Sequence, residues 1–358
     1  MIIDKIQLNG TQYNRENLSE LHFTDEPEDS WRNAIYHFLL NWFDDSDSII
    51  THTTGSTGKP KDIRLRKTAM INSARMTNYF FRLDATSTVL LCMPTAYIAG
   101  KMMLVRALVS GFNLLTVEPS ANPFENLNQL IDFTAITPYQ LFQSAESLKN
   151  GLVRKIIVGG SQVTRKLEEL VEGIPTEMYE TYGMTETSSH IALRRFNGKD
   201  KSEYFTVLGG VEIHQTKRGC LVIDAPHLLE CEIQTTDVVE IISNNSFRWL
   251  ERADSTINSG GVKIHPEQVE KKLERIIPAS YFITSVPDQL LENKVVLIIE
   301  SEAFSAKQEL DLKLKMQPLL HKFEFPKQIY YLPDFIYSQN NKLLRKETLS
   351  KVISLTTT

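Results

Sequence analysis

Cysteine, basic clusters and long apolar runs are all scarce in this chain, and each scarcity excludes something. Its 358 residues hold three cysteines, Cys92, Cys220 and Cys231. They are far apart and odd in number, which argues against a disulfide framework and against a thiolate metal site. The eight histidines show no metal-ligand spacing. Lysine plus arginine total 39 against 44 acidic residues, a net charge of −5 with no basic stripe, so no nucleic-acid partner is expected. The longest uncharged stretch, Ala85 to Gly100, contains Pro94 and several threonines. It is too short and polar to span a bilayer. Met1 to Thr11 lacks the basic and apolar regions of a secretory signal. A cytoplasmic protein without a membrane partner is the expectation.

What is present is ordinary for a globular chain: 42% hydrophobic and 23% charged residues. At roughly 150 residues per domain, the length predicts two or three domains. Residues 30 to 43 place Trp31, Ala34, Ile35, Phe38, Leu39, Trp42 and Phe43 at helical spacing, with Ser30 as N-cap. Short apolar runs then read as buried strands: SII before Thr51, TVLLCM at 88 to 93, FNLLTV at 112 to 117, FTAIT at 133 to 137 and KIIVGG at 155 to 160. Helical patterns at 97 to 110 and 163 to 172 lie between them, so a largely parallel α/β sheet is expected. After about 205 the segments GGVEIHQ, CLVIDA, VVEII and FRWLER read as antiparallel strands. From 265 onward a helix (Pro266 to Arg275), a strand (KVVLIIE), a helix (Ala306 to Leu320) and a strand (Gln328 to Leu332) predict a small α+β domain. The expected division is 1–251 and 252–358.

Four polar segments carry the chemistry. The first, THTTGSTGKPK at 51 to 61, is rich in Thr, Ser and Gly and ends in Lys-Pro-Lys. Glycines admit an anion close to backbone N–H groups, hydroxyls donate, and lysines add charge, which suits a polyphosphate. It is not a Walker A loop, because Gly55 and Gly58 enclose only two residues and Pro60 follows Lys59. By composition alone it is equally a surface turn. The second, YETYGMTETSSH at 179 to 190, reads as a polar loop with Glu180 and Glu186 among hydroxyls, a setting that can hold Mg²⁺ beside phosphate. In the third, 234 to 270, Asp237 and Arg252 can hold ribose hydroxyls and Gly260-Gly261 marks a tight turn. The fourth, NNKLLRKETL at 340 to 349, reads as a solvated helix start.

Taken in order, these segments resemble the core motifs of the adenylate-forming superfamily, which includes acyl- and aryl-CoA ligases, firefly luciferase and the adenylation domains of peptide synthetases. Thr53-Thr54-Gly55-Ser56-Thr57-Gly58-Lys59-Pro60-Lys61 is similar to its phosphate loop, and Tyr182-Gly183-Met184-Thr185-Glu186 to its YGxTE motif. Asp237 matches the TGD aspartate, Arg252-Ala253-Asp254 the R-x-D hinge, and Lys342 with Arg345 the motif of the catalytic lysine. Gly159-Gly160-Ser161 resembles the adenine-side loop. The departures are Asp62, Thr236, Asn258 and Asn341 at usual glycine or lysine positions, and Tyr97 where Pro94-Thr95-Ala96-Tyr97-Ile98-Ala99-Gly100 resembles P-x-x-H-I-x-G. Only 50 residues precede the phosphate loop, so the family's first subdomain is expected to be largely missing, with the 30–43 helix covering the exposed sheet.

The resemblance implies a large, shortened N-terminal α/β domain and a small C-terminal α+β domain rotating about Asp254. It implies acyl-adenylate chemistry with ATP and CoA as co-substrates and Mg²⁺ as cofactor. Lys342 bridges carboxylate and α-phosphate, Thr185 contacts phosphate and Glu186 holds Mg²⁺. Thr53 to Lys61 cradle pyrophosphate, Gly160, Ser161, Tyr182 and Gly183 line the adenine, and Asp237 with Arg252 fix the ribose. Ser188, Ser189, His190 and Ile191 after YGMTET look most like the o-succinylbenzoate–CoA ligases of menaquinone biosynthesis. The acid pocket then falls to Tyr97, with Lys101, Ser188 or Arg194 as donors to a second carboxylate; Lys101 reads equally as a helix-surface lysine. The alternatives are a ligase for another aryl or short acyl acid, an enzyme loading a carrier protein, or a nucleotide-binding protein without turnover. A homo-oligomer is compatible with the sequence.

Overall fold

The computed structural model describes residues 4–52, 62–337 and 343–356. The chain falls into two compact units, Met1–His214 with Val222–Ile233 and Ile241–Arg248, and Gln215–Leu221 with Gln234–Glu240 and Trp249–Thr358.

The first unit opens with a hairpin, β1 (Lys5–Leu8) and β2 (Thr11–Asn14), followed by α1 (Trp31–Trp42), β3 (Ser48–His52), β4 (Asp62–Arg66) and α2 (Lys67–Phe81). Strands and helices then alternate: β5 (Thr88–Leu91), α3 (Ile98–Ser110), β6 (Asn113–Thr116), β7 (Ile131–Ile136), α4 (Pro138–Ser144), β8 (Val153–Val158), α5 (Arg165–Val171) and β9 (Glu177–Gly183). Two more strands, β10 (His190–Arg195) and β11 (Phe205–Val207), continue its sheet. Strands β6, β5, β7, β8 and β9 lie side by side in that order and run parallel. The antiparallel pair β10 and β11 extends one side, while β1 joins β6 in parallel on the other with β2 antiparallel beyond it. This is the α/β class expected.

The order has a consequence for function. The chain leaves β5 for β6 on one side and returns to β7 on the other. Such a reversal is a topological switch point, and ligands of open α/β sheets bind beyond the carboxyl ends of the strands there.

Helix α1 forms where the spacing predicts it, and the Ser30 side chain accepts from Asn33 N at 3.2 Å as its N-cap. Its buried Ile35, Phe38, Leu39 and Trp42 share one core cluster with Ile6 and Leu8 of β1 and Val89 and Leu91 of β5. Each such side chain contributes about 1.5–3 kcal/mol by leaving water. The helix thus contributes to the same core as the sheet's β1 and β5. Asn33 is fully buried and binds Phe23 N, Phe23 O and Pro27 O, which folds the entering loop against the helix. At the sheet edge Asn9 and Thr116 pair twice, Asn9 Nδ2 donating to Thr116 Oγ1 and Thr116 N donating to Asn9 Oδ1.

Three expectations need correction. The SII run belongs to β3, which pairs antiparallel with β4 as a two-stranded ribbon and not with the parallel strands. Ile49 is buried while Ile50 is exposed, so only one face of this strand meets the core. Residues 179–183 are not loop but the end of β9, where Met178 and Glu180 are buried on one face. Finally, α2 was not expected at all, because its buried face includes Ser73, Thr77 and Asn78.

Strands β12 (Glu212–Gln215), β13 (Cys220–Asp224), β14 (Ile233–Ser243) and β15 (Ser246–Arg252) follow, with residues in both units. The rest of the second unit is β16 (Ile257–Ser259), β17 (Val262–Ile264), α6 (Pro266–Leu273), β18 (Tyr281–Asp288), β19 (Glu292–Glu300), α7 (Ala306–Met316), β20 (Gln328–Leu332) and α8 (Arg345–Thr356). Strand β19 pairs antiparallel with β18 and parallel with β20. Ile264, Val269, Leu273, Leu297, Leu312 and Met316 form a core of its own. This matches the α+β texture expected, although α7 ends at Met316, short of Leu320.

Candidate active site

Three loops of the first unit leave the carboxyl ends of β5, β8 and β9. The β5 loop carries Pro94 to Gly100, and Tyr97 becomes the N-cap residue of α3. Gly100 is required here, since a Cβ would lie 2.4 Å from Pro94 O. After β8, Gly159 N donates to Ile136 O at 3.1 Å and Gly160 turns at φ +95°. Ser161 is exposed, and Val163 N donates to Glu180 Oε1 at 2.8 Å. Because Val158 and Glu180 are register partners across β8 and β9, this loop lies beside the end of β9.

The β9 turn is tightly built. Thr187 is fully buried; its Oγ1 accepts from Met184 N at 3.1 Å and lies 2.6 Å from Ser189 O, to which it can donate. Ser188 N donates to Thr185 O at 2.9 Å, leaving Thr185 half-buried and Glu186 exposed on the turn. Gly183 faces His190 across the strands, and a Cβ there would meet Ser189 O at 2.4 Å. The register shifts between His190 and Ala192, a bulge of the kind that re-aims side chains beside sites. The Tyr182 ring is half-buried, edge-on to Phe247 at 5.1 Å and Phe205 at 5.9 Å. Thus the structure gathers Thr185, Glu186, Tyr182, Gly183, Gly160 and Ser161 at the ends of two adjacent parallel strands.

Behind the turn lies a polar cluster that the sequence did not disclose. Arg106 of α3 is 1% exposed; its Nη2 donates to Ser189 Oγ at 3.0 Å, its Nη1 faces Met103 Sδ at 3.3 Å, and Nε has no partner. No carboxylate pairs with it among the described residues. His190 Nε2 is 3.2 Å from Thr77 Oγ1 of α2, and its Nδ1 3.4 Å from Ser189 Oγ. Ser188 is buried in the left-handed region at φ +64°, with its Oγ unpartnered, and Ser73 Oγ and Asn78 Oδ1 of α2 are likewise buried without partners. Buried polar atoms are normally satisfied, so such a concentration marks a place for a ligand or water. The available signal was two basic residues, Lys101 and Arg106, in a helix otherwise uncharged over Ile98–Ser110. Burial pushes the Arg106 guanidinium down to about 9.

Burial, and next the positive charge of Arg106, hold the His190 pKa well below the usual histidine range. An unfolded chain takes up that proton near pH 6.5 while the folded one does not, so this residue lowers stability as pH falls below about 6.5. The expected slope is about 1.4 kcal/mol per pH unit. His190→Gln should therefore shrink the loss of stability between pH 6.5 and 5 by up to about 2 kcal/mol, measured by urea unfolding at both pH values.

Two expected donors are otherwise engaged. Lys101 is not on the helix surface: it is 9% exposed, and its Nζ donates to Ile50 O and Thr51 Oγ1 at 3.3 Å each, supporting the end of β3. Arg194 is held by Glu180 Oε2 (2.9 and 2.7 Å), Glu168 Oε1 (2.7 Å) and Ser202 O (3.3 Å), so its guanidinium is engaged within the protein. The phosphate-loop residues Thr53, Thr54, Gly55, Ser56, Thr57, Gly58, Lys59 and Lys61 lie outside the described residues, as does Lys342.

In the second unit, Arg252 donates to Asp254 through Nε and Nη2 at 2.9 Å each and to Thr236 Oγ1 at 2.7 Å, with Asp237 Oδ1 3.9 Å from its Nη1. Asp237 accepts from Trp249 Nε1 at 3.2 Å. The hydrogen bond from Arg252 lowers the Asp254 pKa. Gly260 and Gly261, both at positive φ, make the two-residue turn between register partners Ser259 and Val262. Tyr337 and Leu343 are antiparallel partners on either side of the segment that includes Lys342, and Arg345 binds Glu270 through both Nη atoms at 2.8 and 2.9 Å.

No helix among the described residues is long and apolar enough to cross a membrane. Residues 8–215 match the profile of the AMP-binding enzyme family. A 2-succinylbenzoate–CoA ligase of Bacillus cytotoxicus is 24% identical over 337 aligned residues, covering 83% of this chain and 69% of the relative. One from Lactococcus lactis is 23% identical, covering 85% and 71%. The crystal structure of an acyl-CoA synthetase (AMP-forming)/AMP-acid ligase II-like protein from Dyadobacter fermentans is 34% identical, with 91% of this chain and 95% of that one aligned and a TM-score of 0.58. O-succinylbenzoate coenzyme A synthetase of Bacillus subtilis, in complex with ATP and magnesium ion, shares the fold at a TM-score of 0.69 and 20% identity, over 84% of this chain and 69% of its own. The chain belongs to the AMP-binding enzyme family.

Proposed function

We propose that the protein joins o-succinylbenzoate to CoA at the expense of ATP, releasing AMP and diphosphate. The observation that carries the choice of acid is Arg106, a buried guanidinium with no carboxylate partner among the described residues. A buried charge without a counter-charge is costly, and a ligand that supplies one removes the cost. An acid with a second carboxylate does that, whereas a simple aryl acid does not. On this reading Arg106, with Ser188 and Ser189, takes the place assigned to Lys101, and Tyr97 borders the acyl group from the start of α3.

A carboxylate resists attack because its carbonyl is electron-rich and oxide is a poor leaving group. Its oxygen therefore attacks the α-phosphorus of ATP, expelling diphosphate and leaving a mixed anhydride. The CoA thiol attacks that carbonyl, and AMP departs. The first step needs two anions held together, so orientation and charge stabilisation carry the rate. Lys342 is assigned to bridge the carboxylate and the α-phosphate, Thr185 to contact phosphate, and residues 53–61 to hold the departing diphosphate. Glu186, an exposed carboxylate beside the Thr185 hydroxyl, offers the hard oxygen donors that suit Mg²⁺, which when bound neutralises phosphate charge. Asp237 and Arg252 are assigned to the ribose, and Asp254 to a hinge about which residues 252–358 turn between the two steps. The loss of the Arg252–Asp254 pair during that turn would be a small cost, since both are half exposed.

The test is diphosphate release from Mg·ATP across a panel of acids, with and without CoA. Release with o-succinylbenzoate above all others, completed by CoA consumption, is expected. Release with another acid overturns the choice of substrate and keeps the chemistry. Silence across the panel, with ATP still bound, favours a nucleotide-binding protein without turnover.

A further inference from the structure

The loop of Gly159 to Val163 and the strand bearing Tyr182 are joined by one carboxylate. Glu180 is 5% exposed, and its two oxygens do different things. Oε1 accepts from Val163 N at 2.8 Å, two residues beyond Ser161. Oε2 accepts from Arg194 Nε and Nη2 at 2.9 and 2.7 Å. Arg194 Nη2 also reaches Glu168 Oε1 of α5 at 2.7 Å, and Lys201 Nζ lies 3.0 Å from Glu168 Oε2. Glu180, Glu168 and Arg194, all largely buried, with the exposed Lys201 at the rim, thereby tie together β9, β10, α5 and the loop after β8. Along a strand, alternate residues share a face, so Glu180 and Tyr182 project to the same side of β9.

We propose that Glu180, held by Arg194, is a positioning residue that sets the gap between the Gly160-Ser161 backbone and the Tyr182 ring, and through that gap selects the purine base of the nucleotide. The inference rests on the adenine-side reading of these residues. A buried charge pair in which two N–H groups of one guanidinium converge on a single carboxylate oxygen is stiffer than a neutral contact, because the bonds are charge-assisted and the planar fork fixes where that oxygen lies. A glutamine at 180 has one carbonyl oxygen and cannot serve Val163 N and the guanidinium in the same way. The loop then loses its fixed height over the strand, while the residues assigned to carboxylate, phosphate and metal are untouched.

The experiment is calorimetric titration of the full chain with ATP and with GTP, free of acid and CoA, for the wild type, Glu180→Gln and Arg194→Lys. Glu180→Gln is expected to weaken ATP binding about tenfold and to bring the ATP-over-GTP preference down by a similar factor. Arg194→Lys, which keeps the charge but loses the fork, should shift both in the same direction by a smaller factor. If Glu180→Gln unfolds, Arg194→Lys alone decides. Unchanged ATP affinity and unchanged base preference in a folded variant, even with a lowered Tm, would mean the network is structural and overturn the proposal. Absence of ATP binding by the wild type would instead overturn the nucleotide reading on which it rests.

Discussion

Lys342→Ala is expected to slow acid-dependent diphosphate release by about 10²–10³-fold, the loss typical when one charge-stabilising donor is removed from a reacting centre. The same variant, supplied with the preformed acyl-adenylate and CoA, should make thioester within a few-fold of the wild-type rate. The asymmetry follows from the chemistry. Only the first step brings a carboxylate against a phosphate, and only there does a lysine between two anions lower the barrier. In the second step the nucleophile is a thiol and the leaving group a nucleotide monophosphate, so the bridging charge has less to do. Separate measurement of the two half-reactions decides it, and an equal loss in both would place Lys342 outside the role assigned to it.

Arg106→Met should act in opposite directions on function and stability. Losing a charged hydrogen-bonding partner of the second carboxylate is expected to lower kcat/KM for o-succinylbenzoate by about 30–100-fold, corresponding to roughly 2–3 kcal/mol. Aryl acids with a single carboxylate should change little. The folded protein without ligand should become more stable, because an unpaired buried charge is replaced by apolar volume in a helix whose residues Met102 to Leu108 are all buried. A rise of a few degrees in Tm is the expected scale. Stability gained where activity is lost is the mark of a residue retained for its ligand. A fall in Tm with equal losses for every acid would instead make Arg106 a structural member of the core.

The sequence disclosed the sites whose chemistry restricts residue type and hid those built by packing. The YGxTE-like turn and the Arg252–Asp254 pair were readable only as members of an ordered set of motifs resembling the adenylate-forming superfamily, since each alone has other uses, and the Gly260–Gly261 turn was readable from its paired glycines. Their settings agree: Thr187 ties the first, two hydrogen bonds make the second, and positive φ explains the third. Helix α2 was not readable, because Ser73, Thr77 and Asn78 occupy its buried face and blunt the apolar period. The role of Arg106 depends on residues far away in sequence, Ser189 above all, and Glu180 looks like any exposed loop carboxylate until Arg194 is placed beside it. The SII run misled for a related reason, since two isoleucines after a serine do not tell a ribbon with one wet face from a strand buried on both.

The pairing of Asn9 with Thr116 bears on the order in which the chain is assembled. The two are 107 residues apart, and Asn9 N also reaches Leu114 O. On a ribosome adding about 5–20 residues per second, β1 emerges roughly 5–20 s before β6 exists to receive it. At the start of that interval Ile6 and Leu8, both destined for the core, have only their own hairpin for company, and α1, α2, β5 and α3, which share their core, follow before β6. A two-stranded hairpin is marginal by itself in water. The edge of the sheet is thus among the earlier parts of this region to be synthesised and among the later to be fixed, and its opening back to solvent is the local event that the Asn9–Thr116 pair, together with the β1–β6 ladder and the Gly10–Asn113 bond, restrains.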